Sequence, residues 1–218
     1  MSRLRSQARR LQSDATLKQQ YVAAMQAYED GDYSEPATSE EARRFLHHHA
    51  VIGSDKETTK DRIVFDGSAA TKGEKSLNET LLPGPALNPE VFTLLLAFRF
   101  QRIALVADVE KAFLRICMRE EDRSFLRYLW FKENDIKNGE FIEMQMKVVP
   151  FGLSSSPFLL AFVINHHLDK FKEEKEVWIQ LKNRFYVDDL VSGESSVERA
   201  THLKKRATEI LASANMKL

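Results

Sequence analysis

Tyr186-Val187-Asp188-Asp189 lies between apolar flanks, Phe185 before it and Leu190-Val191 after, and runs into Ser192-Gly193. Adjacent carboxylates repel each other, and burying charge is costly unless something compensates it. A short strand–turn–strand that presents two aspartates at its tip therefore points to a cation site. A third carboxylate, Asp108, stands far earlier in the chain. It ends the buried-strand pattern Ile103-Ala104-Leu105-Val106-Ala107 and precedes Val109-Glu110-Lys111-Ala112-Phe113. Two apolar strands, each delivering carboxylates at its end, could hold paired Mg²⁺ ions for phosphoryl transfer. The plain alternative is a solvated Asp-Asp turn, and Asp108 is the residue that speaks against it. Neighbouring side chains on a strand point to opposite faces, so Asp188 and Asp189 share one site only if the turn rotates one of them.

Several elements must position these residues. Leu17, Tyr21, Val22, Met25 and Tyr28 follow helical spacing, which predicts an amphipathic helix ending near Gly31. The acidic, Pro36-containing stretch after it reads as a connector. Thr38-Ser39-Glu40-Glu41 has a capping-box pattern that would open a short helix toward His47. Ile63-Val64-Phe65 reads as a strand, and residues 66–76 as a mobile loop rich in Gly, Ser, Lys and Thr. Asn88-Pro89 reads as a cap with a first-turn proline, launching a helix through Phe98.

Beyond Asp108, Phe125 to Phe131 is a plausible strand. Ile142, Met144, Met146 and Val148 alternate with Glu143, Gln145 and Lys147, the pattern of a half-buried strand. Phe158 to Phe171 is apolar on nearly all sides and predicts a buried helix. Lys172-Glu173-Glu174-Lys175-Glu176 reads as a solvated helix end. Ser195-Ser196-Val197-Glu198 caps a last amphipathic helix carrying Val197, Ala200, Leu203, Ile210 and Leu211. The order predicts an α+β fold, helices packing on a largely antiparallel sheet, with no internal repeat.

Composition sets wider bounds. At 218 residues and 43% hydrophobic, the chain can bury the core of one large domain or of two lobes. Cys117 is the single cysteine, which excludes an internal disulfide and suits a reducing compartment. No apolar run reaches transmembrane length, so no membrane partner is expected. Lys+Arg and Asp+Glu balance at 32 each, whereas nucleic-acid binders usually carry a basic excess. The charge is uneven: residues 1–10 hold four arginines and no acid, and residues 29–41 hold six acids and no base. His47-His48-His49 invites a metal reading, but consecutive positions on a helix or strand do not converge on one ion.

An ordered series of motifs resembles the reverse-transcriptase domain of long-terminal-repeat retrotransposons, most closely the BEL/Pao group. It comprises His47-His48-His49-Ala50-Val51, then Thr58-Thr59-Lys60-Asp61-Arg62-Ile63-Val64-Phe65-Asp66-Gly67-Ser68-Ala69. Ser76-Leu77-Asn78, Leu81-Leu82-Pro83-Gly84-Pro85 and Phe98-Arg99 follow. Asp108-Val109-Glu110-Lys111-Ala112-Phe113, Phe151-Gly152-Leu153-Ser154-Ser155-Ser156-Pro157-Phe158 and Tyr186-Val187-Asp188-Asp189 complete it. The resemblance runs from about residue 17 to Leu218.

The resemblance implies right-hand polymerase fingers and palm, with a ferredoxin-like palm sheet carrying the aspartates. Residues 1–40 would be a helical lead-in, 41–100 fingers-like, and 101–218 the palm with some fingers elements; thumb and RNase H are not recognisable. It implies an RNA-directed DNA polymerase, a nucleotidyltransferase that uses RNA or DNA template with primer and deoxynucleoside triphosphates. Asp108, Asp188 and Asp189 would be catalytic, with two Mg²⁺ (or Mn²⁺) ions on them and on the backbone carbonyl of Val109. Tyr186 and Val187 would complete the hairpin. Arg62, with Lys60, would grip the triphosphate, as suits a planar guanidinium. Phe113 would pack under the incoming sugar and exclude a 2′-hydroxyl.

Phe151-Gly152 stands where many reverse transcriptases place Gln-Gly, implying stacking rather than amide hydrogen bonding to the nucleotide. Gly53-Ser54 stands where the BEL/Pao pattern often carries lysines, implying a less basic fingers loop. The remaining polyprotein domains (thumb, RNase H, protease, integrase) would be partners. The implied location is the cytoplasm, within virus-like particles, or the nucleus. Phe113 speaks against an RNA-dependent RNA polymerase, which needs a polar group to welcome the 2′-hydroxyl. A truncated or domesticated relic that only binds nucleic acid or protein is the alternative from another class. As a fragment of a polyprotein, the chain alone is expected to be weakly active or inactive.

Overall fold

The computed structural model describes residues 2–37, 43–52, 61–138 and 140–218. The chain divides into two compact units, residues 1–82 with 117–156 and residues 83–116 with 157–218.

The first unit opens with α1 (Ser2–Ser13) and α2 (Ala15–Asp30). Asp14 caps α2 by accepting from the Leu17 amide, Gly31 ends it, and Tyr21, Met25 and Tyr28 form its buried stripe. β1 (Ser34–Pro36) follows where a connector is expected. The sequence offers only three residues there, and they become a strand because β6 (Phe141–Met146) supplies the partner. β6 also pairs with β5 (Arg127–Phe131), giving an antiparallel sheet of order β1-β6-β5. A second antiparallel pair joins β2 (His47–Ile52) to β3 (Asp61–Asp66).

The helix anticipated toward His47 is absent from residues 43–47, where His47 already begins β2. Its capping box, residues 38–41, falls outside the described residues. Short α3 (Leu77–Thr80) closes the loop after β3 with a true capping box between Ser76 and Glu79.

The core of this unit is aromatic. Phe65 packs edge-on to Tyr128 with ring centroids 5.0 Å apart, and Tyr21 stacks on Trp130 at 5.5 Å. His48 sits among these rings, fully engaged. Its Nε2 lies 3.0 Å from the Leu129 carbonyl, so it carries the proton; its Nδ1 then accepts from the Tyr21 hydroxyl at 2.5 Å. Gln7 donates in turn to that hydroxyl at 2.6 Å. Burial pushes the His48 imidazole down to about 4, holding it neutral. Strand alternation sends His47 and His49 to the other face, so the three imidazoles do not converge on one point.

The second unit contains α4 (Val91–Arg99), β4 (Ile103–Asp108), α5 (Ser156–Leu168, belonging here from Pro157), α6 (Lys175–Arg184), β7 (Phe185–Tyr186), β8 (Asp189–Glu194) and α7 (Val197–Ala212). Its sheet is antiparallel, in the order β4-β8-β7. Ser196 caps α7 by accepting from the Arg199 amide, and Ala200, Leu203, Ala207, Ile210 and Leu211 form the buried stripe. Glu174 is the N-cap of α6 and is paired with Arg206 of α7 at 2.5 Å, so this charge run is the start of a helix tied to its neighbour.

Two expectations are corrected in this unit. β4 is not buried on both faces: Ala104, Val106 and Asp108 are exposed, Val106 at 67%, while Ile103, Leu105 and Ala107 are half-buried. An apolar run of that length fits a one-faced strand as well as a central one. α5 likewise leaves one side open, with Phe162 54% exposed, while Leu160, Ile164 and Leu168 are buried. Among the described residues no helix is long and apolar enough to cross a membrane.

Candidate active site

The second unit gathers the acidic residues at one end of its sheet. The β4–β8 register sets Asp108 directly opposite Asp189, and the β7–β8 register sets Tyr186 opposite Asp189. Residues directly opposite in an antiparallel ladder share a face, with Cβ atoms about 5 Å apart. Asp108, Asp189 and Tyr186 therefore lie on the exposed face, beside Val106 and its partner Val191.

The two-residue turn between β7 and β8 is Val187-Asp188. Val187 has φ 58°, and Asp188 is not at positive φ, the sign pattern of a type II′ hairpin turn. Asp188 thus belongs to the turn and not to a strand, so strand alternation does not govern its direction. Its carbonyl accepts from the Val109 amide at 2.9 Å, tying the hairpin tip to the residue after Asp108. Val109 is buried, and its carbonyl accepts from the Ala112 amide at 3.2 Å.

The donor set suits a hard cation, being carboxylate oxygens with one nearby backbone carbonyl. Among the described residues, no three His, Cys, Asp or Glu side chains are gathered closely enough to hold a metal ion. Phe113 is buried on a short 3₁₀ turn, Ala112–Arg115, that begins just after this loop. Glu110 is fixed on the same loop: its amide donates to the Lys217 carbonyl at 2.8 Å, and Lys217 Nζ donates to its carboxylate at 2.8 Å. That hydrogen bond holds the Glu110 carboxyl below its ordinary range.

Of the expected nucleotide residues, Phe113 lies in the second unit, and Arg62, Phe151 and Gly152 lie in the first. Arg62 on β3 places its guanidinium over the Phe151 ring, 5.8 Å from the centroid. The Phe151 carbonyl accepts from the Phe65 amide at 2.9 Å, which lays the 151–152 turn along β3. Gly152 has φ 110°, and a Cβ there would stand 2.0 Å from the Phe65 carbonyl oxygen. Only glycine satisfies both constraints. Lys60, Thr58-Thr59 and Gly53-Ser54 fall outside the described residues.

Two asparagines hold these parts, and neither role has a local signature in the sequence. Asn78 Nδ2 donates to Ser68 Oγ at 2.9 Å and to the Gly152 carbonyl at 3.0 Å; its Oδ1 accepts from the Ser154 amide at 2.9 Å. The Ser76-Leu77-Asn78 motif marked the residue but not its partners. Asn88 does not cap a helix as Asn88-Pro89 suggests. The N-cap of α4 is Glu90, and Asn88 Oδ1 accepts instead from the Val187 amide at 3.2 Å.

The family model described as reverse transcriptase (RNA-dependent DNA polymerase) matches residues 84–218. A comparison with curated proteins finds no match. The matched span takes in Asp108, the hairpin and Phe151-Gly152, and begins after Arg62. Since that span exceeds half of the 218 residues, the chain belongs to the reverse transcriptase (RNA-dependent DNA polymerase) family.

Proposed function

We propose that this chain is the fingers-and-palm part of a BEL/Pao-type retrotransposon reverse transcriptase, adding deoxynucleotides to a primer on an RNA or DNA template. The observation that carries the reading is the pairing of β4 with β8. It delivers Asp108 and the Asp188-Asp189 hairpin to the same end of one sheet. The reaction joins the primer 3′-oxygen to the α-phosphorus of a deoxynucleoside triphosphate and breaks the bond to the departing pyrophosphate.

Asp108 and Asp188 are the principal ligands in this reading, with Asp189 and the Val109 carbonyl beside them. Two divalent cations bound there, Mg²⁺ or Mn²⁺, would supply the positive charge that favours an ionised 3′-oxygen and the leaving pyrophosphate. Arg62 contributes a planar donor set for phosphate oxygens, steadied over Phe151. Gly152 leaves backbone accessible beside that ring, and Phe113 supplies the apolar bulk under the sugar.

Asp108→Asn and Asp188→Asn test this directly. Removing a ligand charge weakens transition-state stabilisation far more than groove contacts, so in the full-length polymerase each variant should lose at least about 100-fold in single-nucleotide addition. Primer-template affinity should be unchanged by fluorescence anisotropy. Extension at the unsubstituted rate by either variant would overturn the assignment.

A further inference from the structure

The hairpin tip holds a residue in a conformation its side chain resists. Val187 has φ 58°, in the left-handed region, where a β-branched side chain crowds its own backbone. The first central position of a type II′ turn ordinarily takes glycine. Such a conformation persists only where its surroundings over-determine it. One tie is the bond between the Val109 amide and the Asp188 carbonyl. The other comes from Asn88, which reaches from the turn before α4 to accept the Val187 amide itself. Because α4 starts from Glu90 and draws no side-chain cap, the Asn88 carboxamide is available for this contact.

We propose that Asn88 is a positioning residue for the Tyr186–Asp189 hairpin. By accepting the Val187 amide it holds Val187 left-handed, and so fixes the direction in which Asp188 and Asp189 leave the turn. With Val187 relaxed to negative φ, the turn would no longer match the right-handed twist of β7 and β8. The register that sets Asp189 opposite Asp108 would then loosen. This inference rests on the reading of Asp108 and Asp188 as metal-binding carboxylates. The contact itself can be read without metal or catalysis.

Amide hydrogen exchange on residues 1–218 measures the contact. The Val187 amide should exchange about tenfold faster in Asn88→Ala, as loss of a typical hydrogen bond gives. It should stay protected in Asn88→Asp, which keeps the acceptor oxygen. The positioning role is read from Mn²⁺ binding by electron paramagnetic resonance, with Asp108→Asn as the control for the site. Asn88→Ala should weaken Mn²⁺ binding about tenfold, and adding Val187→Gly should restore most of it. Glycine takes positive φ without help, so it no longer needs Asn88.

A residue that merely ends a loop would not be rescued in this way. Unchanged Val187 exchange in Asn88→Ala, or weakened binding that Val187→Gly leaves weak, overturns the proposal. If the unsubstituted chain binds no Mn²⁺ that Asp108→Asn removes, the metal reading fails. The exchange result alone then decides whether Asn88 holds the hairpin.

Discussion

His48 and Phe113 are both buried, and solution measurements separate their two kinds of burial. His48 is neutral in the folded chain, its imidazole pushed down to about 4, and His47 is lowered as well by partial burial and by Arg3. Both folded values lie below that of the unfolded chain, so between them the unfolded state binds more protons. Stability is then fully present above pH about 6.5 and is lost as pH falls toward 4, by about 2 kcal/mol between pH 6.5 and 5 for His48 alone. Urea midpoints across that range should fall accordingly, and His48→Gln should flatten the curve. A level profile for the unsubstituted chain would show that His48 is not buried neutral.

Phe113 calls for a kinetic comparison. If its ring lies under the incoming sugar, Phe113→Val opens space there. The ratio of kcat/KM for ribonucleotide over deoxynucleotide should then rise about tenfold or more. A ratio that does not move would make Phe113 a core residue only.

At the scale of elements, legibility followed whether the cause of a structure was local. α2 and α7 were readable because caps and apolar spacing lie within the helix. β6 was readable from alternation, as was the hairpin from two carboxylates between apolar flanks. β1 was not, since three residues become a strand only through a partner far along the chain. α6 has little local signature because its buried positions are Val177 and Leu181, a short stripe in a charged segment. The site divided the same way. Asp108 and Asp189 could be nominated from type and context, whereas their pairing is a register, and the Asn88 and Asn78 contacts are long-range side-chain bonds with no local signature.

Gly152 shows how strongly one element can depend on another. Gly152→Ala must take φ 110° with a methyl against the Phe65 carbonyl. It should cost about 2–5 kcal/mol and lower Tm. An unchanged Tm would mean that the 151–152 turn does not lie along β3.

For the whole molecule, charge sets what can be held. Duplex affinity grows with the number of phosphates neutralised, and a chain of zero net charge has no general excess to supply. We expect residues 1–218 to bind an RNA–DNA primer-template weakly, with a shallow dependence on salt, and to make little or no processive product even at excess protein. Anisotropy titrations at several salt concentrations, followed by extension assays, test this. Tight binding with multi-nucleotide products would show that a few well-placed cations suffice.

The discontinuity of both units bears on how the chain is made. Synthesis delivers residues 1–82 first, yet the first unit also needs residues 117–156. Phe65 and Tyr21 wait for Tyr128 and Trp130, and β1 waits for Met144–Met146. Meanwhile β4 emerges long before β8 can pair with it. On the ribosome, therefore, the aromatic surface and the β1 edge of the first unit stay open until residue 156 has been made, and the β4 edge of the second until β8 follows. Pairings between such distant segments slow folding. Edges and apolar surface of this kind are what chaperones shield on nascent chains.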